Sequence, residues 1–481
     1  MAEMHDKTPE ITELILKAGE KARREVVAEP EPGLTQPANW PITCTVGPGL
    51  EGAIACETRV GYVNGAKGWL IYRGYDIFDL CAHSTFEEVS YLLLHGDLPT
   101  AAQLAQFETQ LKQYRRLPGT NRLLMSFPVE RMNAMAALRL GTNLMRHELA
   151  YADQESARPT LDSAIGADED SIPMETRPRG ERRAIYEFRG QMPREGRPSA
   201  DGDGKTDPAT MESCYHLIAG VASLAGSIAR LRLGRMPLEA REDLSHAANF
   251  LYTMTGQVPT PQEERMMDVA LILHADHGMN ASTFASLVVA STLSDIYLAV
   301  GSGIAALSGR LHGGANEQVM HTLRGIGDAS KVKAWYAQAR REKRKIMGFG
   351  HRVYKAYDPR ARVLGPLAEY MARHSKSVRP LFRVAQALEK EVVADLGESK
   401  KIFPNVDFYS GLVYTAMGIP VDMFTPIFAV SRVSGWTARV IEYLQHNRIF
   451  RPRAMYIGTF GQEYVPMIRR RPARRRSQAP S

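Results

Sequence analysis

Cysteine is scarce in this sequence: Cys44, Cys56, Cys81 and Cys214 are the only four in 481 residues. They include no CxxC pair, which excludes a disulfide scaffold and predicts free thiols in a reducing compartment. Long unbroken apolar runs are also missing. The longest stretch, Phe284 to Leu307, is interrupted by Ser286, Ser291, Ser294, Asp295 and Gly301, so it predicts two packed core helices rather than a membrane span. The opening residues, Met1-Ala-Glu-Met-His-Asp-Lys7, carry acidic groups and no apolar segment of the signal-peptide kind, and the expected location is the cytoplasm. β signal is confined to Thr58 to Tyr72, where Val60, Tyr62, Val63 and Trp69 to Tyr72 flank Asn64-Gly65 and predict a hairpin turning at Asn-Gly. No segment recurs at a fixed period, which argues against a solenoid.

With 44% hydrophobic and 23% charged residues, the chain is long enough for a large globular domain and a smaller one. The formal charge of +7 is mostly local, because Arg469, Arg470, Arg471, Arg474, Arg475 and Arg476 crowd one end. Such a run is read as a solvated tail, with contact to nucleic acid as the alternative. Helix signatures dominate elsewhere. Glu10 to Val27 has an apolar stripe at Ile11, Leu14, Ile15 and Ala18, and Thr85-Phe-Glu-Glu88 is a capping-box pattern before Val89 to Leu94. Further helices are expected over Ala101 to Tyr114, Met132 to Met145, Ser213 to Leu231 and Leu238 to Thr255, so the fold class is mainly α. Between Tyr151 and Thr210 the periodicity gives way to Asp, Glu, Arg, Gly and Pro, as in Asp201-Gly-Asp-Gly-Lys-Thr-Asp-Pro208. That composition predicts a loop or a partly disordered insert, with a short helix conceivable over Glu181 to Arg189.

Three segments of the second half carry chemistry: Leu271-Ile-Leu-His-Ala-Asp-His277 through Leu311-His-Gly-Gly-Ala-Asn-Glu317, then Gly348-Phe-Gly-His351 to Asp358-Pro-Arg360, then Pro404-Asn-Val-Asp407. His274 and His277, three apart in a helical stretch, would share a face with Asn280. This reads either as half a metal site, although no other zinc-like spacing or HExxH pattern accompanies it, or as histidines satisfying buried helix ends. His312, beside Gly313-Gly314 after a helix end, suits a general acid or a turn cap. His351 follows two glycines that admit close ligand approach and precedes Arg352, Lys355 and Arg360, a setting for anions or a solvated basic loop. The Lys-Ser/Thr ending of a phosphate-binding P-loop is absent. Asp407 lies among Phe403, Phe408 and Tyr409, where desolvation would raise its basicity; the other reading is an N-cap for a helix beginning near Tyr409. Arg360, Arg432 and Arg451 are ambiguous singly, but together could clamp a small polycarboxylate.

The order of these segments, with Gly49-Leu-Glu-Gly52, Tyr72-Arg-Gly-Tyr-Asp76, Phe86-Glu-Glu-Val89 and Leu92-Leu-Leu-His-Gly96, resembles the citrate synthase family, and the likeness runs across almost everything from Ser213 to Arg453. The insert and arginine tail fall outside it, and Gly278 departs from a frequent Glu after the second histidine. The resemblance implies a two-domain helical homodimer that condenses acetyl-CoA with oxaloacetate, with the thioester as substrate and neither cofactor nor metal. Its divisions here are a helical arm (1–48), a large domain (49–314 and 414–467), a small mobile domain (315–413) and a basic tail (468–481).

By the same resemblance, Asp407 is the base, His312 stabilises the enol or enolate, and His351 polarises the ketone. His277, Arg360 and Arg432 bind the keto acid, and Arg451 reaches across from the neighbouring subunit. Lys355, Gly348 and Gly350 belong to a CoA-binding loop. Closure of the small domain would keep water from the enolate. Use of propionyl-CoA in 2-methylcitrate synthesis is the near alternative, and a non-catalytic scaffold with a nucleic-acid-binding tail the distant one. The stretch before Gly49 is too short and helical for the added β domain of NADH-sensitive hexamers, so a dimer without that control is expected.

Overall fold

The computed structural model describes residues 8–148 and 209–469. The insert expected at 151–210, the conceivable helix at 181–189 and the arginine tail therefore lie almost wholly outside the described residues.

The chain begins with α1 (Pro9–Glu25), followed by a small antiparallel sheet of β1 (Gly61–Asn64), β2 (Trp69–Tyr72) and β3 (Tyr75–Asp76). Helices α2 (Ile77–His83), α3 (Phe86–His95), α4 (Ala101–Gln113), α5 (Pro118–Met125) and α6 (Ala134–Leu144) complete the first stretch. After residue 209 come α7 (Met211–Arg232), α8 (His246–Thr255), α9 (Pro261–His274), α10 (Ala281–Ala290) and α11 (Ile296–Leu307). Then follow α12 (Ala315–Ile326), α13 (Val332–Arg341), α14 (Pro359–His374), α15 (Arg379–Lys400), α16 (Val406–Ala416) and α17 (Phe424–Leu444). The mainly α expectation holds.

Helix α7 is the one described helix long and apolar enough to cross a membrane. It runs instead through the core, flanked by α6, α8 and α17. The stretch 284–307 divides into α10 and α11, broken at Ser291 to Asp295, and Asp295 caps α11 by accepting from the Leu298 N–H. Helices α12 to α16 pack mainly on one another, while α1 lies on both α2 and α14. None of the four cysteines is in a disulfide.

Several sequence expectations are corrected. The hairpin does not turn tightly at Asn64-Gly65: Asn64 pairs with Trp69, and residues 65–68 form the turn, with Asn64 Oδ1 accepting from Lys67 N and Gly68 at φ +66°. The third strand, β3, had no signal because it is two residues long. At 85–88 only half of the capping box forms, with Thr85 Oγ1 accepting from Glu88 N. Helix α8 starts at His246 rather than near Leu238, because the Ser245 hydroxyl caps it by accepting from Ala248 N.

Two corrections bear on the site. Helix α9 ends at His274, and Gly278 at φ +59° with Asn280 capping α10 turns the chain away, so His274 and His277 do not share a helical face. Helix α16 starts at Val406, and its N-cap is Asn405, whose side chain accepts from Asp407 N. Asp407 is thus released from the capping role.

Candidate active site

Residues 348–351 and the start of α16 are laced together by backbone. Gly350 N donates to Phe403 O, Asn405 N donates to Gly348 O, and Asn405 Nδ2 donates to Gly350 O, all at 2.9 Å. Gly348 and Gly350 both have positive φ, +83° and +76°, and a Cβ at Gly348 would meet Val319 and Phe408. Only glycine takes this path cheaply. The two glycines thus set His351 beside the α16 N-terminus, a structural task found in addition to any ligand contact.

Beside this seam, the rings of His277, His351 and Tyr354 converge, with centroids 4.9–5.3 Å apart. His277 Nε2 lies 3.1 Å from Tyr354 Oη. His351 Nδ1 accepts the Val353 and Tyr354 N–H groups at 3.0 and 3.2 Å, so in the neutral ring the proton sits on Nε2. That N–H stands 3.5 Å from Nη2 of Arg360. Two donors side by side cannot bond each other, so both face a place for an acceptor. Asp358 holds Arg360 through Nε and Nη2 at 3.0 and 2.8 Å, and also accepts from Val406 N at the start of α16.

His312 is anchored on the α10 N-terminus. Its Nε2 accepts the Ser282 N–H at 3.3 Å and lies 2.9 Å from Ser282 Oγ. The backbone amide is an obligate donor, which leaves the ring proton on Nδ1. Burial, aided by Arg432, pushes His312 down to about 4, and burial likewise pushes His351 down to about 4. His277 is also held well below the usual range, first by burial and then by Arg360, His351 and Arg432. All three imidazoles are neutral near pH 7, and a neutral ring can donate without carrying a buried charge.

Two orphaned groups mark where a ligand belongs. Asp407 Oδ1 is sealed from solvent with no hydrogen-bond partner, and burial pushes the carboxyl up to about 7 despite an opposing pull from Arg360. Arg432, 1% exposed, donates from Nε to His274 O at 2.6 Å and stacks 4.8 Å over Phe428, while its Nη2 has no partner. A buried guanidinium nitrogen left unpaired costs stability unless a bound anion satisfies it. His274 itself is a core histidine, donating from Nδ1 to Ala270 O and edge-on to Phe428.

The structure therefore gathers His277, His351, Arg360, Arg432, His312 and Asp407. It does not bring Arg451, which is exposed in the irregular segment after α17, to the same chain's site. Lys355 has an exposed side chain; its backbone N donates to Gly65 O, tying the loop to the hairpin turn. Sequence reasoning missed Tyr354, Asp358, Asp276, Ser282 and Arg439. Only Arg439 left a periodic trace, two helical turns from Arg432 on α17. Two open clefts of about 550 and 530 Å³ lie elsewhere, around Arg59, Arg73, His95 and Glu442 and around Tyr91, Gln110 and Tyr215. Neither holds any gathered residue, so the orphaned polar atoms, not the volumes, locate the site. Among the described residues no group of three or more His, Cys, Asp or Glu could hold a metal ion.

A mainly helical protein that gathers a carboxylate with one sealed, partnerless oxygen, neutral imidazole donors and an arginine with an unpaired nitrogen has the parts of a carbon-acid enzyme acting on an anionic partner. Residues 49–453 match the family described as citrate synthase, C-terminal domain. Citrate synthase of Deinococcus radiodurans is 40% identical over 87% of this chain and 97% of its own, and that of Haloferax volcanii 38% over 88% and 98%. A 2-methylcitrate synthase of Shewanella oneidensis is 36% identical over 88% of this chain and 98% of its own. Among solved structures, the Pyrobaculum aerophilum citrate synthase superposes with a TM-score of 0.71 at 38% identity, covering 91% of this chain and 100% of the other. The Thermoplasma acidophilum enzyme, in a ternary complex with carboxymethyl coenzyme A and oxaloacetate, gives 0.72 at 31%, covering 89% and 100%.

The chain belongs to the citrate synthase family. The activity that goes with membership is acyl transfer in which the acyl group becomes alkyl: acetyl-CoA, oxaloacetate and water give citrate and CoA, with the thioester entering as substrate.

Proposed function

We propose that Asp407 is the base of this condensation. Its carboxylate takes a proton from the acetyl methyl group, the C–H electron pair forms the enol C=C bond, and the carbonyl π pair moves onto the thioester oxygen, where His312 Nδ1–H donates. The enol carbon then attacks the ketone carbon of oxaloacetate, and His351 Nε2–H supplies the proton its oxygen gains. Hydrolysis of the resulting citryl thioester releases citrate and CoA. Dividing the charge between two neutral donors stabilises the developing oxyanions by hydrogen bonds made where the charge appears. Arg432, Arg360 and His277 hold the keto acid's carboxylates, and Arg451 reaches the site of a second copy, so the working unit is a homodimer. Lys355 and the glycine-bearing turn at 348–350 meet CoA.

The small domain comprises residues 315–413, its mutual packing in α12 to α16 supporting that division, and it closes over bound oxaloacetate. The chain before residue 49 holds α1 and no strand among its described residues. The working location is the cytoplasm.

The observation that carries this reading is the sealed, partnerless Oδ1 of Asp407 together with the partnerless Nη2 of Arg432, both residues lying within the field of Arg360. Its test is CoA release from purified protein given oxaloacetate with either acetyl-CoA or propionyl-CoA, with Asp407→Asn alongside. An acetyl-CoA preference that disappears in the variant supports it. A propionyl-CoA preference moves the activity to methylcitrate synthesis, a discrimination of only about 10–200-fold per methylene. No turnover with either returns the scaffold reading.

A further inference from the structure

The turn that follows α9 serves the site twice: its His274 carbonyl holds Arg432 Nε, and its His277 ring enters the cleft. Between them sits Asp276, fully buried, with a carboxylate that faces α17 instead of the substrate. Arg439 takes it in a two-pronged pair, Nε to Oδ1 and Nη2 to Oδ2, both at 2.7 Å. The same guanidinium donates to Thr58 Oγ1 at 3.2 Å and Gly61 O at 3.3 Å, on the approach to and the start of β1. The backbone is held equally closely. Tyr72 Oη donates to Asp276 O at 2.8 Å and accepts from Asp276 N at 3.1 Å, and a Cβ at Gly435 would collide with Ala275 O.

Arg432 is the neighbour with most to lose from any change here. Asp276 supplies the largest favourable charge acting on it, yet Nη2 of Arg432 remains unpaired. A buried carboxylate within electrostatic reach of a buried, partnerless guanidinium would ordinarily close the gap and pair with it. It does not: Arg439 bonds both of its oxygens, and Gly278 N also donates to Oδ2 at 3.0 Å.

We propose that Arg439 is a positioning residue for keto-acid binding: by occupying both oxygens of Asp276 it keeps that carboxylate off Arg432 and leaves Arg432 Nη2 free for a substrate carboxylate. The inference rests on the reading of Arg432 as a keto-acid ligand. Arg439 touches neither substrate nor reacting atoms. It acts by holding an internal competitor, so its loss affects the affinity of one substrate and not the chemistry.

The experiment is steady-state kinetics on Arg432→Gln, Arg439→Gln and the double variant Arg439→Gln with Asp276→Asn, with folding followed by thermal melting. In Arg439→Gln the freed Asp276 competes for Arg432, and the KM for oxaloacetate rises on the order of 30-fold, the loss of one charge-assisted contact. Its kcat and the KM for acetyl-CoA at saturating oxaloacetate stay within about threefold. The double variant has no competing charge, and its KM for oxaloacetate returns to within about fivefold of the parent protein. That rescue is what a merely structural role would not produce. An unchanged oxaloacetate KM in Arg439→Gln, or a double variant as impaired as the single one, overturns the proposal. Should Arg439→Gln not fold, the double variant is compared with Arg439→Lys, which keeps the charge but not the fork; an oxaloacetate KM for the double variant more than about tenfold above the parent overturns it equally. If Arg432→Gln leaves the oxaloacetate KM untouched, the reading of Arg432 has failed, a result separate from failure of Arg439.

Discussion

Asp358 and Asp407 stand at the N-termini of α14 and α16, the first buried and the second with its Oδ1 sealed from solvent, and both feel the charge of Arg360, yet they behave oppositely. Burial would raise Asp358, but the charge and hydrogen bonds of Arg360 outweigh it and hold the carboxyl below its usual range. At Asp407 the same burial wins, because Arg360 acts only from a distance and Asp358 pushes the other way, and the carboxyl rises to about 7. Depth alone therefore does not decide the role of a buried carboxylate. A bonded partner makes one a fixed anion that aims an arginine, and the lack of one raises the other toward neutral pH, as its proposed role of base requires.

Removing the base should break the comparison most severely. Asp407→Asn is expected to lower kcat by about 10³-fold or more in the CoA-release assay, with no loss in thermal stability at neutral pH, since the change removes a charge that burial disfavours. Asp358→Asn should do the reverse, leaving the Arg360 charge buried without its counterion. It is expected to cost about 3–5 kcal/mol by denaturant unfolding, and to raise the oxaloacetate KM as Arg360 loses its aim.

pH sharpens the contrast. The base must be ionised, so kcat/KM should fall about tenfold per unit as pH drops below the Asp407 value of about 7. The stability signs differ between the two carboxyls. Folded Asp407 keeps its proton where the unfolded chain has lost it, so its burial is increasingly unfavourable as pH rises from the ordinary carboxylate range through about 7. The melting-temperature advantage of Asp407→Asn over the parent should therefore grow across that interval. Asp358, with a depressed value, stabilises the fold above the ordinary carboxylate range and loses that contribution as pH falls through its folded value. The smallest effect is expected at Ser282→Ala, which deletes the hydroxyl beside His312 Nε2 but keeps the backbone donor. A decrease in kcat of about three- to tenfold, at unchanged oxaloacetate KM, is the expected readout.

What was legible in the chain were residues that carry their own chemistry. His312, His351, Asp407, Arg360 and Arg432 stand out by type and by their glycine, proline and aromatic neighbours, and the segment order pointed to the family. Their supports were not legible. Asp358 is known for an arginine clamp only once α16 offers it Val406 N, and Asp276 only once α17 brings Arg439 across 163 positions. The His274 and His277 pairing misled because i,i+3 spacing says nothing about where a helix stops, and a glycine at positive φ settled that. Arg451 is exposed and lies apart from the gathered residues, so its proposed place could come only from the family resemblance.

The seam between residues 348–350 and 403–405 also fixes what can vary. Joined by three backbone and amide bonds, His351 and Asp407 keep their separation, like two jaws of one tool, whatever the rest of the molecule does. His312 hangs instead from Ser282 on α10, outside that seam. Under the proposed closure of residues 315–413, the gap between the proposed proton acceptor and enol stabiliser would be the adjustable dimension, whereas that between the proposed proton acceptor and ketone polariser would stay constant.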